Sequence, residues 1–115
     1  MKYFHHSVLA AVLATASLSA PALAATSVKA TVNGMVCAFC AQGIEKRLGK
    51  LPATHSVFVD LKQKVVAVQA KDGQTLDAKT ITDEITDAGY DVIKMETVQR
   101  TVAEIKAEVK ATAKP

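Results

Sequence analysis

The sequence predicts an α+β fold whose elements follow one another in the order β-α-β-β-α-β. Three observations carry this prediction. Four stretches alternate apolar and polar residues, which is typical of half-buried strands. Two stretches between them repeat apolar residues at spacings of three or four, which is typical of one helix face. Glycine, asparagine and aspartate stand where one pattern gives way to the next, which is the chemistry of turns.

The amino terminus predicts an export signal that precedes these elements. Lys2 and two histidines lie near the start, residues 8–16 are apolar, and Ala22-x-Ala24 is the small-residue pattern read by signal peptidases. The apolar stretch is shorter than the roughly 20 residues of a membrane span. We therefore expect a signal peptide over residues 1–24, cleavage after Ala24, a periplasmic location and no stable membrane insertion of the mature chain. An uncleaved anchor or a buried helix is the competing interpretation.

The first half of the predicted domain is a strand followed by a helix. Residues 27–32 alternate, and an Asn-Gly pair supplies the turn that ends the strand. From Ala38 the spacing changes to that of a helix, which extends to about residue 50 and is stopped by Pro52. Its predicted buried face consists of Ile44, Leu48 and Leu51.

The second half is a hairpin, a helix and a last strand. Residues 57–61 and 65–70 alternate on either side of a short polar link, which predicts two antiparallel strands. Asp77 is a suitable N-cap for a helix over residues 78–88, and a glycine follows that helix directly. Residues 90–97 complete the domain as its fourth strand.

This order is the ferredoxin-like arrangement, in which a four-stranded antiparallel sheet carries two helices on one face. The predicted domain spans residues 25–97, and residues 98–115 form an extension. Apolar residues recur in the extension at the spacing of an amphipathic helix; the stripe consists of Val98, Val102, Ile105, Val109 and Thr112. We expect this helix to cover the open sheet face, which presents Phe58, Val65 and Ala67. A frayed tail and pairing with a second copy or a partner helix are the alternatives.

Both cysteines of the chain stand in one CxxC segment, Cys37-Ala38-Phe39-Cys40, at the predicted start of the first helix. The spacing alone permits a disulfide, a redox pair or a metal site. A disulfide that closes so short a loop constrains the unfolded chain little, so we expect the thiols to serve chemistry and not stability. The free amides and the dipole at the helix N-terminus are expected to lower the pKa of the thiols, most of all that of Cys40.

Two thiolates without further ligands favour a soft metal ion. Sulfur ligands select Cu(I), Hg(II) is thiophilic for the same reason, and both ions accept two-coordinate sites. Zinc requires four ligands, and the sequence offers no third thiol and no nearby histidine, so zinc is disfavoured. We therefore expect one Cu(I) or Hg(II) ion per domain. The charge, 14 basic against 11 acidic residues, and the 4% of aromatic residues give no indication of a nucleic-acid partner.

The segment at residues 34–40, Gly-Met-Val-Cys-Ala-Phe-Cys, follows a strand and opens a helix, and it resembles the GMxCxxC motif of the heavy-metal-associated domain family. The resemblance covers residues 27–97 and implies a metal site formed by Cys37 and Cys40. A single exported domain is similar in layout to periplasmic mercuric-ion-binding carriers, and copper chaperones share the fold. The resemblance thus implies a monomeric carrier that passes its ion by thiol exchange to a metal-transporting membrane protein or another thiol-containing carrier.

Three further residues are expected to support the metal loop. Gly34 supplies backbone freedom. The resemblance implies that Met35 packs in the core beneath the loop; the alternative is a soft third ligand. The topology brings Tyr90 beside the loop, where it would shield or tune the thiolates, unless it is only an aromatic residue at a strand start. The same topology places the hairpin at residues 62–64 at this end of the sheet and His55 at the opposite end.

A periplasmic CxxC thiol–disulfide oxidoreductase is the alternative function. A strand, a CxxC pair and a helix are also the context of thioredoxin-like proteins, and an oxidising compartment suits such chemistry. Against this function, no tryptophan precedes the pair and no proline separates the cysteines. Neither Pro52 nor Pro115 stands before a strand in the way that the cis-proline of thioredoxin-like proteins does. The sequence shows no nucleophile paired with a base, so we expect no enzyme activity.

Overall fold

The computed structural model describes residues 25–113. The predicted signal peptide, residues 1–24, lies outside the described residues. Within it the chain forms β1 (Ser27–Asn33), α1 (Ala38–Gly49), β2 (Thr54–Asp60), β3 (Val65–Ala70), α2 (Ala78–Asp87), β4 (Asp91–Val98) and α3 (Val102–Thr112). The order confirms the predicted β-α-β-β-α-β arrangement and the C-terminal helical extension.

The four strands form one antiparallel sheet in the order β2-β3-β1-β4, as the ferredoxin-like prediction requires. β1 lies inside the sheet, between β3 and β4. Because neighbouring strands are antiparallel, the end of β1 lies beside the starts of β3 and β4: Thr31 pairs with Val65, and Asn33 pairs with Asp91. We call this the cysteine end of the sheet, because the segment with both cysteines leaves β1 there.

Helices α1 and α2 pack on one face of the sheet. The spacing of four in each helix, Ile44 with Leu48 and Ile81 with Ile85, puts two large aliphatic side chains on the face that meets the strands. Alternate residues of β1 and β3 meet them, and the buried set on this side is Val28, Ala30, Val32, Met35, Ile44, Leu48, Val66, Val68, Ile81 and Ile85. This helix-side core ends directly beneath the cysteine segment, since Met35 belongs to it.

Helix α3 covers the opposite face of the sheet. Its side chains Val102, Ile105 and Val109 pack on Val65 and Ala67 of β3, and Phe58 and Val98 border the cluster. β3 is therefore buried on both faces, which explains why residues 65–68 are continuously apolar and do not alternate strictly. The chain has three layers, with the sheet in the middle.

The prediction placed the start of α3 too early, because the helix begins at Val102. The first and last residues of the predicted apolar stripe do not belong to the buried face of the helix. Val98 belongs to β4, and Thr112 is exposed. The helix begins later because Thr101 caps it: its hydroxyl oxygen accepts the N–H of Glu104 at 3.1 Å, and the Glu104 carboxylate accepts the N–H of Thr101 at 2.8 Å. This reciprocal capping box satisfies two amides that would otherwise lack partners.

Polar contacts fix α3 in its position on the sheet. The buried hydroxyl of Ser27 donates to the carbonyl of Arg100 at 2.6 Å, and the N–H of Val102 donates to Gln69 Oε1 at 3.0 Å. The carboxylate of Glu108 pairs with Arg100 and, at 3.6 Å, with Lys29 of β1. Among residues 25–113, none of the helices combines the length and the apolar character that crossing a membrane would need.

Candidate metal site

The cysteine segment leaves β1 through a glycine whose conformation the loop requires. Gly34 has a φ of +94°, in the left-handed region that residues with a Cβ rarely adopt. A Cβ at this position would also lie 3.3 Å from Cδ1 of Tyr90. Gly34 therefore permits both the turn of the backbone and the close approach of the tyrosine ring.

Met35 points away from the surface on which the cysteines lie. Its side chain is 3% exposed and belongs to the helix-side core, together with Val32 and Ile44. This position fits the packing role implied by the family resemblance. An unbranched thioether side chain fills an irregular space of this kind well, and here it anchors the loop from below.

Cys37 and Cys40 lie at the N-terminus of α1. Cys37 is the N-cap, and its Sγ accepts the N–H of Cys40 at 3.1 Å, so sulfur takes the place of the oxygen that usually caps a helix. The amide hydrogen bond thus reaches Cys37, whereas the sequence suggested that Cys40 would gain most from the helix N-terminus. Cys37 is exposed, and Cys40 is half-buried.

The two sulfur atoms are joined in a disulfide, with the Cα atoms 5.2 Å apart. The sequence favoured free thiols, so the oxidised state is a difference from that expectation. Its physical reason is the helical turn, which brings residues three apart onto one face and into the range of Cα separations that disulfides need. Reduction of this bond would leave two thiol groups side by side on the same turn.

Exposed apolar side chains flank the two cysteines. Val36 is 87% exposed and Phe39 is 85% exposed, although both are large and apolar. Phe39 and Cys40 line a shallow surface groove together with Gly43 and Tyr90. The sequence singled out Phe39 as bulkier than the residue often found between the cysteines of the family, and assigned it no role. Its exposure could be anticipated from the helix period, since it lies off the face formed by Ile44 and Leu48.

The end of α2 holds Tyr90 against the metal loop. The helix closes with Gly89 at a φ of +97°; the N–H of Gly89 donates to Thr86 O at 2.9 Å, and that of Tyr90 donates to Ile85 O at 3.2 Å. These two bonds form a Schellman motif, which stops the helix and turns the chain into β4. Tyr90 is thereby placed next to Gly34, as the topology predicted, and is half-buried.

The β2–β3 hairpin also lies at the cysteine end. The carbonyl of Lys64 accepts the N–H of Val32 at 2.8 Å, and its ammonium donates to Asn33 Oδ1 at 3.2 Å. Lys62 is exposed. His55 is exposed at the start of β2, at the opposite end of the sheet from the cysteines, so it is not near the candidate site.

The arrangement offers two sulfur ligands and no acidic ones. The first turn of α1 contains no Asp or Glu, and within residues 25–113 there is no cluster of three or more His, Cys, Asp or Glu side chains that suits a metal ion. Two adjacent thiolates at a helix N-terminus suit a soft ion of low coordination number. The sequence missed one supporting contact, the ion pair between Arg47 and Glu84 at 3.1 Å, which ties α1 to α2.

Comparison with known proteins agrees with this geometry. The family model described as the heavy-metal-associated domain matches residues 30–91. The copper chaperone CopZ of Bacillus subtilis is 38% identical over 63 residues, which are 55% of this chain and 90% of the chaperone. Copper-transporting ATPase 1 of Mus musculus is 33% identical over 73 residues, or 64% of this chain, yet the match spans only 5% of the ATPase.

A solved structure gives the same result at the level of the fold. The yeast copper transporter domain that was determined in the apo and Cu(I)-loaded states superimposes with a TM-score of 0.53 at 25% identity. The superposition covers 66% of this chain and 99% of that domain.

Proposed function

Because the chain belongs to the heavy-metal-associated domain family, we propose that its reduced form carries one Cu(I) ion between Cys37 and Cys40 and passes it on by thiol exchange. The chain is a metal-binding domain similar to copper chaperones and is not an enzyme. The ion is cargo in this proposal, not a resident cofactor. The relatives give no support to the alternative of a CxxC thiol–disulfide oxidoreductase.

The observation that carries the proposal is the pair of sulfur atoms on the first turn of α1. Two thiolates around Cu(I) form a complex with one net negative charge, which the positive end of the helix dipole favours. The amide of Cys40, which donates to Cys37 Sγ, supplies a specific hydrogen bond to that charge. Zinc would need two additional ligands, and the described residues contain no group of three or more His, Cys, Asp or Glu side chains that could hold a metal ion.

The exposure of the site supports transfer to a partner. Cys37 is open to solvent, and Val36 and Phe39 beside it present apolar surface. A thiolate of the partner can reach the ion from that side, add as a third ligand and then replace Cys37. We propose a metal-transporting membrane protein or another thiol-containing carrier as the partner, because two of the relatives are a copper chaperone and a copper-transporting ATPase.

Hg(II) is the second candidate cargo. It is thiophilic and also accepts two sulfur ligands, so the same geometry suits it. The named relatives favour copper, since the yeast domain was determined with Cu(I) and the chaperone is a copper chaperone. We therefore place Cu(I) first and treat preference for Hg(II) as an outcome of the experiment below.

The test is a competitive titration of the reduced protein with Cu(I) and with Hg(II), against a chromogenic chelator and with mass spectrometry of the complex. We expect one ion per chain. The double variant Cys37→Ser/Cys40→Ser is expected to lose Cu(I) binding, and the matched control His55→Ala, at the far end of β2, is expected to keep it. Equal binding by the double variant would show that the ion sits elsewhere.

We also propose that the protein is exported and acts as a monomer. The N-terminal pattern is the support for export, with cleavage after Ala24. Expression of the full chain in a Gram-negative host, followed by osmotic shock, is expected to release a protein whose mass begins at Ala25. A protein of unprocessed mass in the membrane fraction would contradict the export proposal.

A further inference from the structure

We propose that a clasp between residues 26–27 and residues 99–100 shields the peptide bond after Ala24, so that the signal peptide is removed before the fold is complete. Both halves of this terminal clasp lie outside residues 30–91, the range that the family model matches. The inference rests on the export proposed above, because that proposal supplies the cleavage site. It adds an order of events, in which hydrolysis of the bond comes first and docking of α3 comes second.

Side-chain contacts join the two halves of the terminal clasp. The hydroxyl of Ser27, which is 0% exposed, donates to the carbonyl of Arg100 at 2.6 Å. The hydroxyl of Thr26 donates to Gln99 Oε1 at 3.4 Å. The guanidinium of Arg100 in turn pairs with the carboxylate of Glu108 in α3. The start of β1 is thus tied to the segment that leads into α3 and to the helix itself.

The first residues of β1 are also held by the sheet. Ser27 pairs with Gln69 of β3 on one side and with Val98 of β4 on the other. One residue earlier, the carbonyl of Thr26 accepts the N–H of Ala70 at 2.9 Å. Chain ends open most readily where few contacts hold them. Here two neighbouring strands and the terminal clasp hold the chain from Thr26 onward.

The slack between the cleavage bond and the held part of the chain is short. The bond is followed by Ala25, and the next carbonyl, that of Thr26, is already bonded to the sheet. An extended residue spans about 3.5 Å, so two residues reach about 7 Å. Packed layers of protein lie about 10 Å apart. A peptidase has to enclose the backbone on both sides of the bond that it cuts, so its walls would meet the folded domain before the bond reached its cleft.

The terminal clasp closes late because its halves are far apart in the chain. Ser27 and Arg100 are separated by 73 residues. Contacts of long sequence separation form only after the cost of closing a long loop has been met. When an unfolded chain crosses a membrane from its amino terminus, β4 and α3 are also the last elements to emerge. The bond after Ala24 is therefore open to a peptidase at first and becomes shielded when residues 99–100 arrive.

The step that precedes closure is a hydrolysis. Water adds across the peptide bond between Ala24 and Ala25, so that the water oxygen joins the carbonyl carbon of Ala24 and a proton goes to the nitrogen of Ala25. Water is the sole co-reactant, and a signal peptidase is the catalyst. The products are the free signal peptide and a mature chain that begins one residue before the held segment.

The test compares how fast a purified bacterial signal peptidase cuts full-length precursors in detergent micelles, read by mass spectrometry. Leu48→Asp supplies the unfolded substrate, because Leu48 is fully buried and the core cannot accept an unpaired charge. Circular dichroism verifies that the wild-type precursor is folded and the variant is not. Cleavage of a shielded bond follows the population of the open form, so we expect the folded precursor to be cut at least about 100-fold more slowly.

An insertion isolates the effect of the slack. Gly-Ser-Gly-Ser placed between Ala25 and Thr26 keeps the cleavage site and adds about 14 Å of reach. We expect the amide NMR spectrum of the domain to stay unchanged and the rate of cleavage to come within about threefold of that of the unfolded variant, because the bond is open in every molecule. An insertion variant that stays folded and uncut would overturn the proposal.

The substitution Ser27→Ala tests the terminal clasp itself. It removes the hydroxyl that donates to Arg100, so the start of β1 can fray, and we expect the folded precursor to be cut about tenfold faster than wild type. Ile81→Val in α2 is the matched control, because it weakens the buried core away from the clasp. Equal acceleration by the two variants, at equal loss of stability, would mean that global unfolding exposes the bond and that the clasp is wrong.

The outcomes separate the shield from the export proposal. If folded and unfolded wild-type sites are cut after Ala24 at the same rate, the shield is wrong and the export proposal stands. If the unfolded precursor is not cut after Ala24, the cleavage site of the export proposal is wrong and the shield falls with it.

Discussion

Helices α1 and α3 begin in the same way and end up with opposite properties. Each follows a strand, and in each the side chain of the N-cap accepts the N–H of the residue three positions later, at 3.1 Å. At α3 the cap is Thr101, and Glu104 returns the hydrogen bond. At α1 the cap is Cys37, no acidic residue lies in the first turn, and no return bond forms.

The residues around the two N-caps also differ, in how far they are buried. The first residue of α3, Val102, is buried against the sheet, and Arg100 before it is paired with Glu108. Beside the cap of α1, Val36 and Phe39 are exposed. The start of α3 is therefore fixed against the sheet, whereas the start of α1 leaves Cys37 and the apolar side chains beside it exposed. We infer that stability and the proposed metal binding are divided between the starts of α3 and α1.

The largest effect on stability is expected from Ile105→Ala in α3. Ile105 is fully buried between the helix and the sheet, so its truncation leaves a cavity. Such substitutions destabilise by about 2–5 kcal/mol. Denaturant unfolding of the reduced protein measures the loss, and the Cu(I) affinity of the folded protein is expected to stay unchanged. Exposed Lys110→Ala is the matched control and should change the free energy of unfolding by less than about 0.5 kcal/mol.

A change in the Cu(I) affinity of folded Ile105→Ala, in step with its change in stability, would contradict this division of roles. It would mean that the α3 layer and the cysteine end act as one unit. Helix α3 packs on one face of the sheet, whereas the cysteine segment joins the core on the other face through Met35.

An intermediate effect is expected from Gly34→Ala at the cysteine end. Alanine would have to adopt a φ of +94°, and its Cβ would lie 3.3 Å from the Tyr90 ring. We therefore expect the free energy of unfolding to fall by about 1–3 kcal/mol. Gly43→Ala is the matched control, because it lies within α1 and an added Cβ meets nothing within 4 Å. That variant should gain about 0.5–1 kcal/mol from the higher helix propensity of alanine. Equal effects of the two substitutions in thermal melts would contradict the role given to Gly34.

The smallest effects on stability are expected from substitutions of the two N-cap residues, Thr101 and Cys37. Thr101→Ala is expected to cost about 1 kcal/mol, because the capping box is lost, and to leave Cu(I) affinity unchanged. Cys37→Ser keeps a capping side chain, so under reducing conditions its free energy of unfolding should change by less than about 0.5 kcal/mol. The same variant is expected to lose Cu(I) binding. If Thr101→Ala weakened metal binding, or Cys37→Ser retained it, the division of roles would be wrong.

The sequence was sufficient for the order of the elements because local signals mark each one. Asp77 caps α2, with its carboxylate accepting the N–H of Lys79 at 3.1 Å, and Gly89 ends the same helix. The start of α3 was missed although Thr101-x-x-Glu104 is a capping-box pattern. The apolar spacing of α3 continued back to Val98. Val98 is the last residue of β4, but it packs against the α3 cluster, so in the sequence it looked like part of that helix.

The sequence predicted which residues lie together at the cysteine end of the sheet, but it did not predict the oxidised state of the two cysteines. The two cysteines, Gly34 and Tyr90 were predicted to lie together, and the structure brings them together. The exact first residue of α1 decides whether Phe39 is exposed and whether the Cys40 amide donates to Cys37. The spacing of apolar residues does not locate a helix start to a single residue. Whether the thiols are oxidised depends on the redox conditions around the chain as well as on its sequence.

The central claim is that Cu(I) is held by two sulfur atoms at the start of α1. Copper K-edge X-ray absorption on the reduced, Cu(I)-loaded protein tests it most directly, with Met35→Leu as the control for the buried thioether. We expect a first coordination shell of two sulfur atoms in both proteins, with no change on substitution of Met35. A nitrogen or oxygen ligand in the first shell, or a third sulfur that disappears in Met35→Leu, would contradict it.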